Sequence, residues 1–133
     1  MKKKAVVAVL ILAVVLGAVY FFMLKPEQEP IPITFAPGDY FVTNVKDSNR
    51  LLKTVVVLVI NNDASYSHLP AKLDEHVAIV RDSIIFILRE LSEDEIRASG
   101  VEQDLRAKIR QSINYKLETT GVQDVLFSDF VMQ

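Results

Sequence analysis

The sequence predicts an α+β fold: a small domain of about three strands packed by two main helices, in the order β-β-α-α-β, carried on one N-terminal membrane helix. Three observations predict it. Residues 5–24 form an uncharged apolar run, residues 54–60 form a β-branched run, and between Leu73 and Leu117 apolar residues recur every three or four positions. The chain has 133 residues, enough for an anchor and one core but too few for two. The boundaries that follow are a basic tip (1–4), a membrane helix (5–24), a proline-rich spacer (25–37) and an outer domain (38–133).

In residues 5–24 the only hydroxyl is that of Tyr20. A helix of this length spans about 30 Å, the thickness of a bilayer's hydrocarbon core. Ala5, Leu12, Leu16 and Leu24 mark its apolar length, and Tyr20, Phe21 and Phe22 sit where an aromatic belt forms. Lys2, Lys3 and Lys4 precede it, which by the positive-inside rule keeps the N-terminus cytoplasmic. A cleaved signal peptide is the rival reading. Signal cores run about 7–15 residues and end at a small-x-small site, and here Val15-Leu16-Gly17 falls inside the apolar run. The reading is a retained anchor.

Beyond residue 25 there are 11 basic and 17 acidic residues, a net charge of −6. An acidic domain without a basic run argues against binding nucleic acid or anionic lipid. The chain has no cysteine, which removes thiolate chemistry and zinc–cysteine sites and leaves the core alone to stabilise the fold.

Four of the five prolines (Pro26, Pro30, Pro32 and Pro37) fall in residues 25–37, which therefore read as an extended spacer reaching up to roughly 40 Å. Residues 40–46 alternate and read as a strand. Asp47-Ser48-Asn49 is turn chemistry, and residues 51–61 form a second strand with apolar character on both faces. One face would meet the helices; the other calls for a partner subunit. Helical periodicity then runs from Pro70 as one stripe through Leu73, Val77, Val80, Ile84, Ile87 and Leu91, widened by Ile85, Phe86 and Leu88. Ser92 and Glu95 suit a capping box for a short helix over residues 93–98. A further helix, residues 102–119, carries Leu105, Ile109, Ile113 and Leu117, and Gly121 stops it. Residues 122–132 read as a terminal strand with Phe127 and Phe130 in its core. Removing it is expected to unfold the domain.

The residues show no catalytic constellation. His68 and His76 flank a helix start as surface histidines, and Glu93, Asp94 and Glu95 suit a first helical turn, where negative charge complements the helix dipole. Ser65, Ser67 and Ser83 lack a nucleophile-elbow context, and the glycines are too scattered for a phosphate loop. No cofactor or metal site follows. Arg81-Asp82 sets opposite charges side by side on a widely apolar helix, either as its solvated face or as an ion pair across a subunit boundary. Asn114, a poor helix former in mid-helix, is either a cap to a neighbouring loop or a plain surface residue. Two function classes remain: a scaffold, and a membrane-anchored sensor or ligand-binding module.

The ending VLFSDFVMQ (125–133) and the blocks IVRDSIIFIL (79–88) and LRAKIRQSIN (105–114) resemble the FliL family of flagellar basal-body proteins. So does the order of anchor, spacer, two strands, RD-helix, asparagine-containing helix and terminal F-x-x-F strand. The resemblance covers the whole chain; its one modest departure is Leu126, where an aromatic is common. It implies a bitopic inner-membrane protein with a periplasmic, stomatin-like (SPFH) domain and no enzymatic activity. It also implies a homo-oligomeric ring around stator units (MotA/MotB or equivalents) that supports their ion-conducting state, torque under load and swarming. Arg81, Asp82, Phe86 and Asn114 then become candidate protomer or stator contacts.

Overall fold

The computed structural model describes residues 1–25 and 29–133, which divide into two units, Met1–Pro30 and Ile31–Gln133. The Pro26 end of the expected spacer, residues 26–28, lies outside the described residues. In the first unit, helix α1 (Lys2–Met23) takes up the apolar run and caps on Leu24, whose N–H donates to the Tyr20 carbonyl. It is long and apolar enough to cross a membrane, and its side chains, Ala5, Leu12, Leu16, Tyr20, Phe21 and Phe22 among them, are all exposed.

The second unit is an antiparallel sheet with helices packed on one face. Its axis is β3 (Leu51–Ile60), where burial alternates along the whole strand. Leu52, Thr54, Val56, Leu58 and Ile60 point into the core, as the two-residue period of a strand requires. β4 (Val122–Met132) runs the length of one side of β3. On the other side lie β1 (Ile33–Phe35), paired with Leu58–Ile60, and β2 (Phe41–Asn44), paired with Leu51–Thr54. β1 and β2 run in the same direction, end to end, as one interrupted edge strand. The sheet thus has four strands rather than about three, because Ile33–Phe35, read from sequence as spacer, is hydrogen-bonded into it. Prolines flank those three residues, at Pro32 and Pro37, without entering them, so the ladder is free to form.

The expected single helix from Pro70 to Leu91 is two: α2 (Leu69–Glu75) and α3 (Val77–Arg89), broken at His76, whose ψ of 26° leaves the helical region. The break lets Leu69 and Leu73 on one segment, and Val80, Ile84 and Leu88 on the other, reach the same core; all five are at most 1% exposed. α4 (Glu93–Arg97) has the full capping box. The Ser92 hydroxyl accepts from the Glu95 N–H, and the Glu95 carboxylate accepts from the Ser92 N–H at 2.9 Å. α5 (Val101–Lys116) lays Leu105, Ile109 and Ile113 against the sheet. Buried side chains of this size stabilise a fold by roughly 1.5–3 kcal/mol each. Phe127 and Phe130 meet edge to face with centroids 5.6 Å apart and pack, partly buried, on the same core.

Candidate interaction surface

Within the second unit, helices α2–α5 leave the sheet's far face uncovered. On β3 it presents Lys53, Val55, Val57 and Val59, which are half-buried only by their neighbours. Register places Val42 beside Lys53 on β2, and Val131, Leu126 and Asp124 beside Lys53, Val57 and Val59 on β4. Val42, Leu126 and Val131 are exposed. Tyr40 completes the face, with the Lys53 ammonium 4.1 Å from its ring centroid. The result is a largely apolar face interrupted by Lys53, between Val42 and Val131, and by Asp129 and Asp124, opposite Val55 and Val59. Such patches on a soluble surface mark contact sites. This is the second apolar face of the β-branched run, and none of helices α2–α5 covers it.

The outer edge of β4 is unpaired by any strand among the described residues. Its first residues are occupied from α5: Arg110 donates to the Gln123 carbonyl at 3.2 Å, and Arg106 lies 4.0 Å from Asp124. Register shifts between Val55 and Val56 and between Val59 and Ile60 put bulges in the ladder, and the Thr54 hydroxyl donates to the Asp129 carbonyl at 2.5 Å beside the first. Bulges and acidic residues are the ordinary protection of an edge against unregulated pairing.

The candidate residues on α3 and α5 divide. Phe86 is 56% exposed on the outward side of α3, with the Arg89 guanidinium 5.7 Å from its ring and Ile79 exposed two turns away. Arg81 instead turns into its own domain. Its guanidinium donates to the Pro37 carbonyl at 2.8 Å and stacks 4.4 Å from the Phe41 ring centroid. Asp82 faces Lys116 of α5 at 3.5 Å, so the adjacent charges serve separate intramolecular partners. Asn114 is the cap rather than a plain surface residue: its side-chain N–H donates to the Val122 carbonyl at 2.9 Å, and its oxygen accepts from the Val122 N–H at 3.1 Å.

An open cleft of about 800 Å³ lies beside these residues, lined by Tyr66, His68, Asn114, Lys116, Thr119 and Thr120 among others. Much of its polar chemistry is already used. The Tyr66 and Thr120 hydroxyls bond each other at 2.7 Å, and Thr119 Oγ1 accepts from the Gly121 N–H. The acidic cluster is likewise engaged: Glu93 bonds the Ser48 hydroxyl and lies near Arg50 and Arg97, and Glu95 closes the capping box. Two hydrogen bonds from Ser92, backbone first and then hydroxyl, hold the Glu95 carboxyl below the usual glutamate range. Among the described residues no group of three or more His, Cys, Asp or Glu could hold a metal ion.

Sequence reasoning missed Asn62, whose side chain accepts from the Ile33 N–H at 3.1 Å and donates to the Ile31 carbonyl at 3.3 Å. The sole signal was an asparagine pair, Asn61-Asn62, closing a β-branched run.

Residues 34–133 match the family described as "Flagellar basal body-associated protein FliL". The chain is also 24% identical over 109 residues to the "Flagellar protein FliL" of Aquifex aeolicus (strain VF5). That alignment covers 82% of this chain and 66% of the relative's length. The family match opens inside β1 and takes in every later strand and helix, and the chain belongs to the FliL family of flagellar basal body-associated proteins.

Proposed function

We propose that this protein is an inner-membrane accessory of the flagellar motor, with α1 as its anchor, its N-terminus cytoplasmic and residues 38–133 forming a periplasmic, stomatin-like domain. In this reading the domain self-associates into a ring around stator units and supports their active state under load. The observation that carries it is the pairing of family membership with a largely apolar sheet face that helices α2–α5 leave uncovered. Phe86 and the Val42–Val57–Leu126 face supply two dissimilar surfaces, as head-to-tail closure into a ring requires. Arg81, Asp82 and Asn114 act indirectly, by fixing the elements that present these surfaces.

The chain has no cysteine, so single reporter cysteines give a clean test by in-cell crosslinking. Cysteines at Val42 and Phe86 together are expected to give a ladder of multimers, and a stator adduct is expected from a cysteine in the spacer. A chain that stays monomeric, in cells whose motors bear load normally without it, would overturn the reading. The polar-lined cleft beside Tyr66 favours a second reading, a sensor of a periplasmic ligand. That reading predicts protection of His68 and Lys116 from chemical modification by a periplasmic extract.

A further inference from the structure

The route by which the chain enters the domain is held at two points and weakly between them. At the first, Asn62 grips the backbone on both sides of Pro32, accepting from the Ile33 N–H and donating to the Ile31 carbonyl. Its amide stands in for one more rung of the β1–β3 ladder. At the second, Arg81 reaches from α3 to the Pro37 carbonyl. Gly38 follows at φ +135°, and a Cβ there would run into the Arg81 guanidinium. An L side chain at residue 38 would therefore be strained as well as obstructed. Between the two clamps lies β1, only three residues long, with Ile33 and Thr34 exposed and Phe35 alone resting on the core.

These residues do not belong to the sheet as the other strands do. β2 continues the same edge of β3 and is anchored by Phe41, 1% exposed, and Val45, 2% exposed. β4 pairs with β3 along its full length. Detaching residues 31–38 would expose Phe35 and the buried Pro37 and uncover one side of β3 at Leu58–Ile60, while the pairing of β2 and β4 with β3 would stay in place. Short, exposed edge elements with few apolar contacts open locally at far lower cost than global unfolding.

We propose that residues 31–38 are a releasable strap that sets the length of the tether between anchor helix and domain. Docked, the strap makes the chain leave the domain beside Ile60. Released, the exit moves to β2, beside Thr54, and the tether gains roughly 25 Å of contour at about 3.3 Å per residue. Asn62 and Arg81 are the two catches. The tether thus has two lengths, chosen by the pull on it.

Hydrogen exchange of the full chain in lipid nanodiscs tests this directly. The amides of Thr34–Ala36 are expected to exchange at least about tenfold faster than those of Val55–Val57 at the centre of β3. Arg81→Ala and Asn62→Ala should each speed the strap amides a further several-fold and leave Val55–Val57 unchanged. Thr34→Cys with Val59→Cys, which are register partners, should slow the strap to the rate of β3 once oxidised. Strap and β3 amides exchanging together in the unaltered chain would overturn the proposal. So would either catch variant speeding both alike, since the strap would then open only when the domain unfolds. Asn62→Ala, at an exposed position, keeps the test decisive if Arg81→Ala does not fold.

Discussion

Asn114 holds Val122 by both ends of its side-chain amide, so that α5 and the first residue of β4 are joined as two strands would be. Eight residues separate the pair, and the chain reverses between them through Glu118, at φ 49°, and Gly121. Asn114→Ala leaves the Val122 N–H and carbonyl unpaired in a buried position. The expected loss is about 1–3 kcal/mol. In a domain of this size that lowers the thermal midpoint by several degrees, read by circular dichroism of the full chain in micelles. Asn114→Asp keeps only the acceptor and should fall between. An unchanged midpoint for the alanine variant would remove the clamp from the account.

Gly121 is buried where a Cβ would run into the side chains of Leu69 and Tyr66. Gly121→Ala should therefore destabilise through overpacking, by about 1–3 kcal/mol. Denaturant unfolding checks this, and trimming Tyr66 to Leu in the same chain should return part of the loss by making room. If the double variant is no better than the single one, crowding is not the cause.

The capping box of α4 carries a pH dependence of known sign. Glu95's carboxyl titrates below its usual value in the folded protein because Ser92 hydrogen-bonds the charged form. Its stabilisation is thus fully present above the unfolded value of about 4.3, and is lost as pH falls through the lower, folded value. The thermal midpoints of the native chain and of Glu95→Gln should differ at neutral pH and converge at the acid end. A difference that is constant with pH would contradict this assignment.

Phe86 and Phe127 make opposite demands. Phe86 is exposed, so Phe86→Ala should leave stability within about 0.5 kcal/mol, and under the proposed ring it should weaken self-association seen by mass photometry. Phe127 packs on the core and on Phe130. Phe127→Ala should cost about 1–3 kcal/mol, below the loss at a fully buried phenylalanine. Stability falling with Phe86→Ala would place that ring in the fold rather than at an interface.

Most of this architecture was legible because it rests on local periodicity. The β-branched run of β3, the apolar stripe of α5, the capping box at Ser92 and the reach of β4 from Val122 to Met132 each write their own pattern. β1 was not legible, since three residues among prolines have no period and are strand only because β3 offers a free edge. The break at His76 was hidden for a related reason: the apolar spacing continues across it, and only the position of the core decides the bend. Among the candidate site residues, sequence singled out Arg81 and Asn114 as unusual for their surroundings. It could not say that their partners were backbone groups of Pro37 and Val122, because neither partner is marked by its own side chain.

The pairing of β3 with β4 also governs when this domain can fold. Leu52 meets Met132 across a separation of most of the domain's length, and closing so large a loop has an entropic cost that local helix contacts do not meet. During synthesis the helices between the two strands are complete long before the central strand receives its longest neighbour. Until residues 122–132 have joined it, β3 has only the short β2 and β1 beside it, and its other edge presents unpaired backbone N–H and C=O groups. A chain in which β4 has not yet paired is therefore the form most open to misassociation, through the free edge of β3.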